Sequence, residues 1–213
     1  MNQPLDIPYL SREHLIAQAS AFLDETHKSR SLPIPIESMT ERLGLDIVPC
    51  PGFQDRFDMV GSIAADMTCI YVDQWVAESR ESRFHFTLAH EIGHVRLHPQ
   101  LFERLRDDAT TISGWIAFIA AIPEALYSSM EWQANVFAGL VLVPPEALKY
   151  EYDRVVGEIR KMMQDPRLKN LPREQVVEIA WEGLVTRLVQ PFSVSEEVIR
   201  RRLEFDGFKP QDL

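Results

Sequence analysis

The stretch from Ser82 to Pro99, SRFHFTLAHEIGHVRLHP, limits this chain more than any other. Phe84, Phe86, Leu88, Ala89, Ile92, Val95 and Leu97 make it apolar around a His90-Glu91-Ile92-Gly93-His94 core. A helix of that content is expected to be buried, and burying two imidazoles and a carboxylate without partners is costly. Residues four apart lie one turn apart on the same helical face, so His90 and His94 can aim ring nitrogens at one point. Glu91 is one residue round. In this arrangement two histidines hold Zn²⁺ and the glutamate between them is the general base of a peptidase. Gly93 costs ~1 kcal/mol of helix propensity against alanine, which makes sense where another backbone or a substrate comes close. Pro99 is expected to end the helix, because the residue before a proline avoids the α region.

A catalytic zinc takes three protein ligands and keeps one position open. No third histidine follows at the spacing HExxHxxGxxH, since Leu97 and Gln100 occupy the positions of its glycine and last histidine. His98 is four residues past His94, but Pro99 pulls it out of helical geometry. A role capping the helix, or one behind the ligands, suits it better than ligation. Glu131, inside EWQANVFAG, is the better candidate, with Tyr127 four residues before it and Asn135 four after on the same face. Spacing alone leaves two readings of Glu131, a third ligand or part of a solvated face to which Gln133 and Ser128 also belong.

Around these segments the pattern is α+β and mainly helical. Residues 11–27 form an amphipathic helix capped by Ser11, with Leu15, Ala19, Phe22 and Leu23 on one stripe and Ile16 at its edge. A short helix from Ile36 to Leu43 closes at Gly44. LDIVPCP is β-like, and Gly61 to Asp73 reads as a hairpin, so a small antiparallel sheet is expected. Residues 100–122 carry no clear pattern. A helix starts at Pro123 and runs to Pro144; 150–164 and 172–189 are helical, with Pro191 as a break. Ser193 and Glu196 have the spacing of a capping box for a last helix. The expected division is an N-terminal helix over 1–32, a metallopeptidase core over 33–149 and a C-terminal helical region over 150–213.

The formal net charge is −10, and the first 150 residues hold 11 Lys and Arg against 20 Asp and Glu. An acidic body does not suit phosphate contacts and is better matched to a basic or neutral protein partner. Cys50 and Cys69 fit no zinc spacing and read as free thiols of a reducing compartment. With no signal-peptide pattern and no apolar run of membrane-span length, a cytoplasmic protein is expected.

FTLAHEIGHVRLH followed by EWQANVFAGLVLVP resembles the ImmA/IrrE family of metallo-endopeptidases, as do LPIPIESMTERLGLDIVPCPG upstream and FSVSEEVIRRRLEFDGF at the end. The resemblance covers roughly residues 30–208. It implies a gluzincin-type zincin fold, Glu131 as third zinc ligand beside His90 and His94, and cleavage of a partner protein. In that family the partner is typically a helix-turn-helix repressor. Many relatives carry their own N-terminal helix-turn-helix domain. The residues before position 30 have no room for one, so the repressor is expected to be a separate protein.

On this reading Glu91 is the catalytic base, and Tyr127, His98 and Asn135 are candidates to stabilise the oxyanion. A rival from another class is a DNA-binding regulator. VVEIAWEGLVTRLVQPFSVSEEVIRRRL has a helix-turn-helix silhouette with Arg200, Arg201 and Arg202 on its second helix. The long segment between the helices, Glu196 and Glu197 beside the phosphates, and the acidic chain argue against it. A metal-bound regulatory module without hydrolysis is the third reading, and it leaves Glu91 without a purpose.

Overall fold

The computed structural model describes residues 7–108 and 112–213. The chain divides into two compact units, one of residues up to Arg30 with Pro35–Val141, the other of Ser31–Ile34 with Leu142–Leu213.

The first unit opens with α1 (Arg12–Thr26). Ser11 caps it by accepting a hydrogen bond from the His14 N–H, and Leu15, Ala19, Phe22 and Leu23 are its buried face. α2 (Ile36–Arg42) ends ahead of Gly44, whose φ of 75° is a left-handed conformation that favours glycine. Then come β1 (Asp46–Cys50), α3 (Phe53–Phe57), β2 (Gly61–Ile63) and β3 (Cys69–Asp73). β2 and β3 form the expected antiparallel hairpin, with Ser62 opposite Tyr71. β1 corrects the expectation of a purely antiparallel sheet. It joins β3 in parallel, Asp46 opposite Cys69, and the order is β1-β3-β2. A parallel pair needs a crossover, and the α3–β2 passage supplies it, leaving β2 on an edge. Cys50 and Cys69 stand at opposite ends of this pairing and are free.

Asp73 closes β3 and caps α4 (Gln74–Ser79) through the Val76 N–H. α5 (Glu81–Leu97) carries the His-Glu-Ile-Gly-His segment and buries Phe84, Leu88, Ala89, Ile92 and Leu97. It ends where Pro99 requires, with His98 as its cap. Beyond α5 the described residues form α6 (Pro99–Asp108) and α7 (Ile112–Ala120), in a region without a clear sequence pattern. α8 (Glu124–Leu142) follows, and its Phe137 ring lies 5.7 Å from that of Phe22 on α1.

The second unit is helical: α9 (Pro145–Met162), α10 (Arg173–Phe192) and α11 (Glu196–Phe205). Its core is built from Leu148, Val155 and Ile159 of α9, Leu184, Val185 and Leu188 of α10, and Ile199 and Leu203 of α11. Two expectations change here. Pro191 does not break α10: it lies in the last turn, one residue before the helix ends, so few residues follow the kink it would cause. Ser193 is not a helix cap for α11. With φ at 52° it terminates α10, and Ser195 takes the capping role by accepting from the Val198 N–H. Among the described residues no helix is long and apolar enough to cross a membrane.

Candidate functional site

His90 and His94 point inward from one face of α5 with their Nε2 atoms 3.0 Å apart. Glu131 reaches them from α8, its Oε2 lying 3.3 Å from His90 Nε2 and its Oε1 3.3 Å from His94 Nε2. One ligand atom from each of these three residues lies within 4.8 Å of the others, close enough to hold one metal ion. Gly93 makes the meeting possible. A Cβ there would stand 3.3 Å from the Ala134 Cα and carbonyl oxygen and 3.2 Å from a Phe137 ring carbon. α5 and α8 therefore approach backbone to backbone one residue from His94 and three from Glu131.

The donor set itself fits a metal. His90 Nδ1 faces Asn135 Oδ1 at 3.2 Å, and an amide oxygen can only accept, so Nδ1 carries the proton and Nε2 presents a lone pair. Two imidazoles and one carboxylate are what a catalytic zinc takes from a protein. His94 Nδ1 is backed by His98 Nδ1 at 3.1 Å, and His98 Nε2 by Gln133 Oε1 at 3.4 Å.

Charges respond to this crowding. Burial alone would raise the Glu131 carboxyl, but hydrogen bonds and charge from the two imidazoles outweigh it and hold the group well below the usual carboxylate range. Burial works against protonation of His90, yet Glu131 and Glu91 together lift its pKa above the ordinary value. His98, buried and next to His94, is pushed down to about 4. Tyr127 is pushed up to about 12, by burial first and then by the Glu131 charge, so its hydroxyl keeps its proton.

Glu91 is buried at 7% exposure, and its Oε2 accepts the Ile63 N–H at 3.0 Å. Asp73 N–H bonds Val60 O and Ala64 N–H bonds Cys69 O, so even-numbered residues of β2 face β3. Gly61 and Ile63 consequently turn their backbone groups to the free edge. Gly61 is tightly placed: a Cβ would come 2.4 Å from Thr87 Cγ2 and 3.8 Å from Glu91 Oε1. The edge borders a cleft of about 370 Å³ that also contains Arg83, Tyr127, Leu101, Phe102 and Ile119.

The structure thus brings His90, Glu91, His94, Glu131, Tyr127 and Asn135 around one cleft. His98, fully buried behind His94, lies outside it. Gln133 belongs to no solvated face. It is completely buried, and its Nε2 donates to Ser129 Oγ at 3.2 Å and to the Pro8 carbonyl at 3.4 Å. The sequence offered no sign of the Ile63 amide, a backbone group, or of the α6 side chains Leu101 and Phe102. Only the apolar pair following Pro99 could have pointed to α6.

The arginines of the helix-turn-helix silhouette are occupied. Arg200 Nη1 donates to Glu182 at 2.8 Å, Arg201 to Glu197 at 2.6 Å, and the buried Arg202 to the Val143 carbonyl at 3.1 Å and to Asp206 at 2.7 Å.

Comparison with curated protein sequences finds no match. The family model described as Peptidase_M78, IrrE N-terminal-like domain, matches residues 41–204, from the end of α2 into α11. That span includes the sheet, both site helices and every cleft-lining side chain above. With so much of its length matched and the two histidines, the base-like glutamate and the α8 carboxylate converging within it, the chain belongs to this family of metallopeptidases, the IrrE N-terminal-like peptidases.

Proposed function

We propose that the protein is a zinc-dependent endopeptidase of the cytoplasm that cuts a partner protein, a separate helix-turn-helix repressor. The observation that carries the hydrolytic reading is Glu91, a carboxylate kept beside the His90–His94–Glu131 cluster with one oxygen tied to the edge strand. A module that only binds has no need of it. His90, His94 and Glu131 would hold the ion. Zinc, when bound, supplies Lewis acidity toward the scissile carbonyl and brings the pKa of water down to about 7.

The chain's own groups divide the remaining work. The free edge of β2, through the outward backbone groups of Gly61 and the Ile63 carbonyl, can pair with an extended substrate, while the Ile63 N–H stays on Glu91. Glu91 Oε2 is held by Ile63, which leaves Oε1 to take the proton of the attacking water and pass it to the leaving amine. Tyr127 lines the cleft with its phenol protonated and can donate to the developing oxyanion. His98 is walled off from the cleft, which leaves the Tyr127 hydroxyl and the Asn135 amide N–H as the donors that line it.

The repressor proposal rests on charge. The first 150 residues carry nine more acidic than basic side chains, 20 against 11, a field that draws in a basic DNA-binding protein. The attraction fades as the Debye length falls from about 10 Å at 0.1 M salt to 3 Å at 1 M. The test is incubation with a purified helix-turn-helix repressor, with and without a zinc chelator, across a salt series. One chelator-sensitive cut, slower at high salt and slower when the repressor is bound to operator DNA, supports the proposal. Rapid digestion of casein with the repressor left intact would sink it.

A further inference from the structure

Behind His94 lies a line of buried polar groups that the hydrolytic step does not use. His94 Nδ1 faces His98 Nδ1 at 3.1 Å, His98 Nε2 faces Gln133 Oε1 at 3.4 Å, and Gln133 Nε2 faces the Pro8 carbonyl at 3.4 Å and Ser129 Oγ at 3.2 Å. His98 and Gln133 are both fully buried.

The direction of this line follows from its far end. A backbone carbonyl can only accept, so Gln133 turns its NH₂ to Pro8 and its Oε1 to His98. That oxygen also only accepts, so His98 Nε2 carries a proton. An imidazolium at zero exposure with no carboxylate against it is costly, which leaves His98 neutral and its Nδ1 bare. Two ring nitrogens 3.1 Å apart share one proton, and it must come from His94 Nδ1. The neutral His94 ring then has its lone pair on Nε2, toward His90 and Glu131.

We propose that His98, fixed by Gln133 and the Pro8 carbonyl, is the positioning residue that sets the tautomer and ring angle of His94. This rests on the reading of His94 as a metal ligand. It gives the two histidines different supports. His90, whose side chain is 14% exposed, is oriented by the Asn135 amide, whereas His94 is oriented through a second imidazole and a chain of groups that ends on the segment before α1. Partners that orient a ligating histidine typically change metal affinity 10- to 100-fold when removed.

Two measurements on the full chain test this, neither using activity. The first is long-range ¹H–¹⁵N NMR of the zinc-loaded protein, which reads the tautomer of His98 directly. A proton on His98 Nε2 is expected; a proton on His98 Nδ1 overturns the proposal. The second is zinc affinity by competition with a chromophoric chelator. His98→Phe fills a similar space without an acceptor and is expected to bind zinc about 10- to 100-fold more weakly, while His98→Asn, which returns an acceptor oxygen near the Nδ1 position, recovers most of the loss. Unchanged affinity in His98→Phe, or an equal loss in both variants, overturns the positioning role. The metal reading fails separately, if His90→Ala combined with His94→Ala binds zinc as the unaltered chain does.

Discussion

α8 and α10 are 19 and 20 residues long, but they bury different chemistry. The buried residues of α10 are Ala180, Leu184, Val185, Leu188 and Phe192, all apolar. α8 buries Met130, Ala134, Phe137 and Ala138, and among them the whole of Gln133, while Glu131 beside it holds two imidazoles. An apolar helix face needs only shape and area, and its energy comes from water excluded. A buried amide or carboxylate is retained at a cost and must find partners across space. The contrast separates the residues that keep the protein folded from those that keep a reaction centre arranged, and it can be broken by substitution.

The largest effect expected is on the metal. His90→Ala with His94→Ala should abolish zinc binding, read by metal analysis after gel filtration, while the circular dichroism of the helices stays. Zinc retained at one ion per chain would place the site elsewhere. Next is Glu91→Gln, which should keep zinc and lose turnover by about 10²- to 10⁴-fold, the usual worth of a general base. Turnover at the unaltered rate would rule out the role given to Glu91.

The α10 side of the comparison gives the reverse pattern. Leu184→Ala should cost about 2–5 kcal/mol of stability by leaving a cavity, measured by urea denaturation, with zinc affinity unmoved. Between the two lies Gly93→Ala. Its new Cβ meets the α8 backbone, so an overpacking cost of about 1–3 kcal/mol should come together with weaker zinc binding. A variant that loses stability alone would show that the α5–α8 approach does not govern the site.

A smaller, graded effect is expected from pH. The His90 pKa is raised above its ordinary value, and its proton must leave Nε2 before an ion can bind. Zinc affinity should therefore fall as pH drops through that raised pKa, starting above about 6.5. The metal-free protein should show the opposite sign. The stabilisation from protonated His90 is complete below its unfolded pKa and is lost as pH rises through the folded one. Chelator competition and thermal melts across pH 5.5–8.5 read both trends. Parallel trends would contradict the placement of the proton.

Much of the site was legible because its constraints are local. Four-residue spacing on one helix fixes a shared face whatever the rest of the chain does, so His90 and His94 followed from the sequence, with Glu91 between them. The caps at Ser11 and Gly44 and the hairpin ending at Asp73 were legible for the same reason. Glu131 was only half so. Spacing on α8 puts it on a face with Tyr127 and Asn135, but nothing in the spacing says what that face meets. Gln133 was misread as a sign of solvent for the same reason, since one turn of helix has several outward directions and only packing decides which of them are filled.

The sequence by itself determined the shared His90–His94 face of α5, the positions of most helix ends and an acidic body, because each depends on neighbours in the chain or on composition. The tertiary structure decided the rest. It set β1 parallel to β3 through a crossover, gave Glu91 the Ile63 amide as a partner, put α6 along the cleft, and turned His98 and Gln133 into the backing of His94. Each of these joins groups far apart along the chain, and the energy that selects it, burial together with a satisfied hydrogen bond, exists only once both partners have been brought out of water.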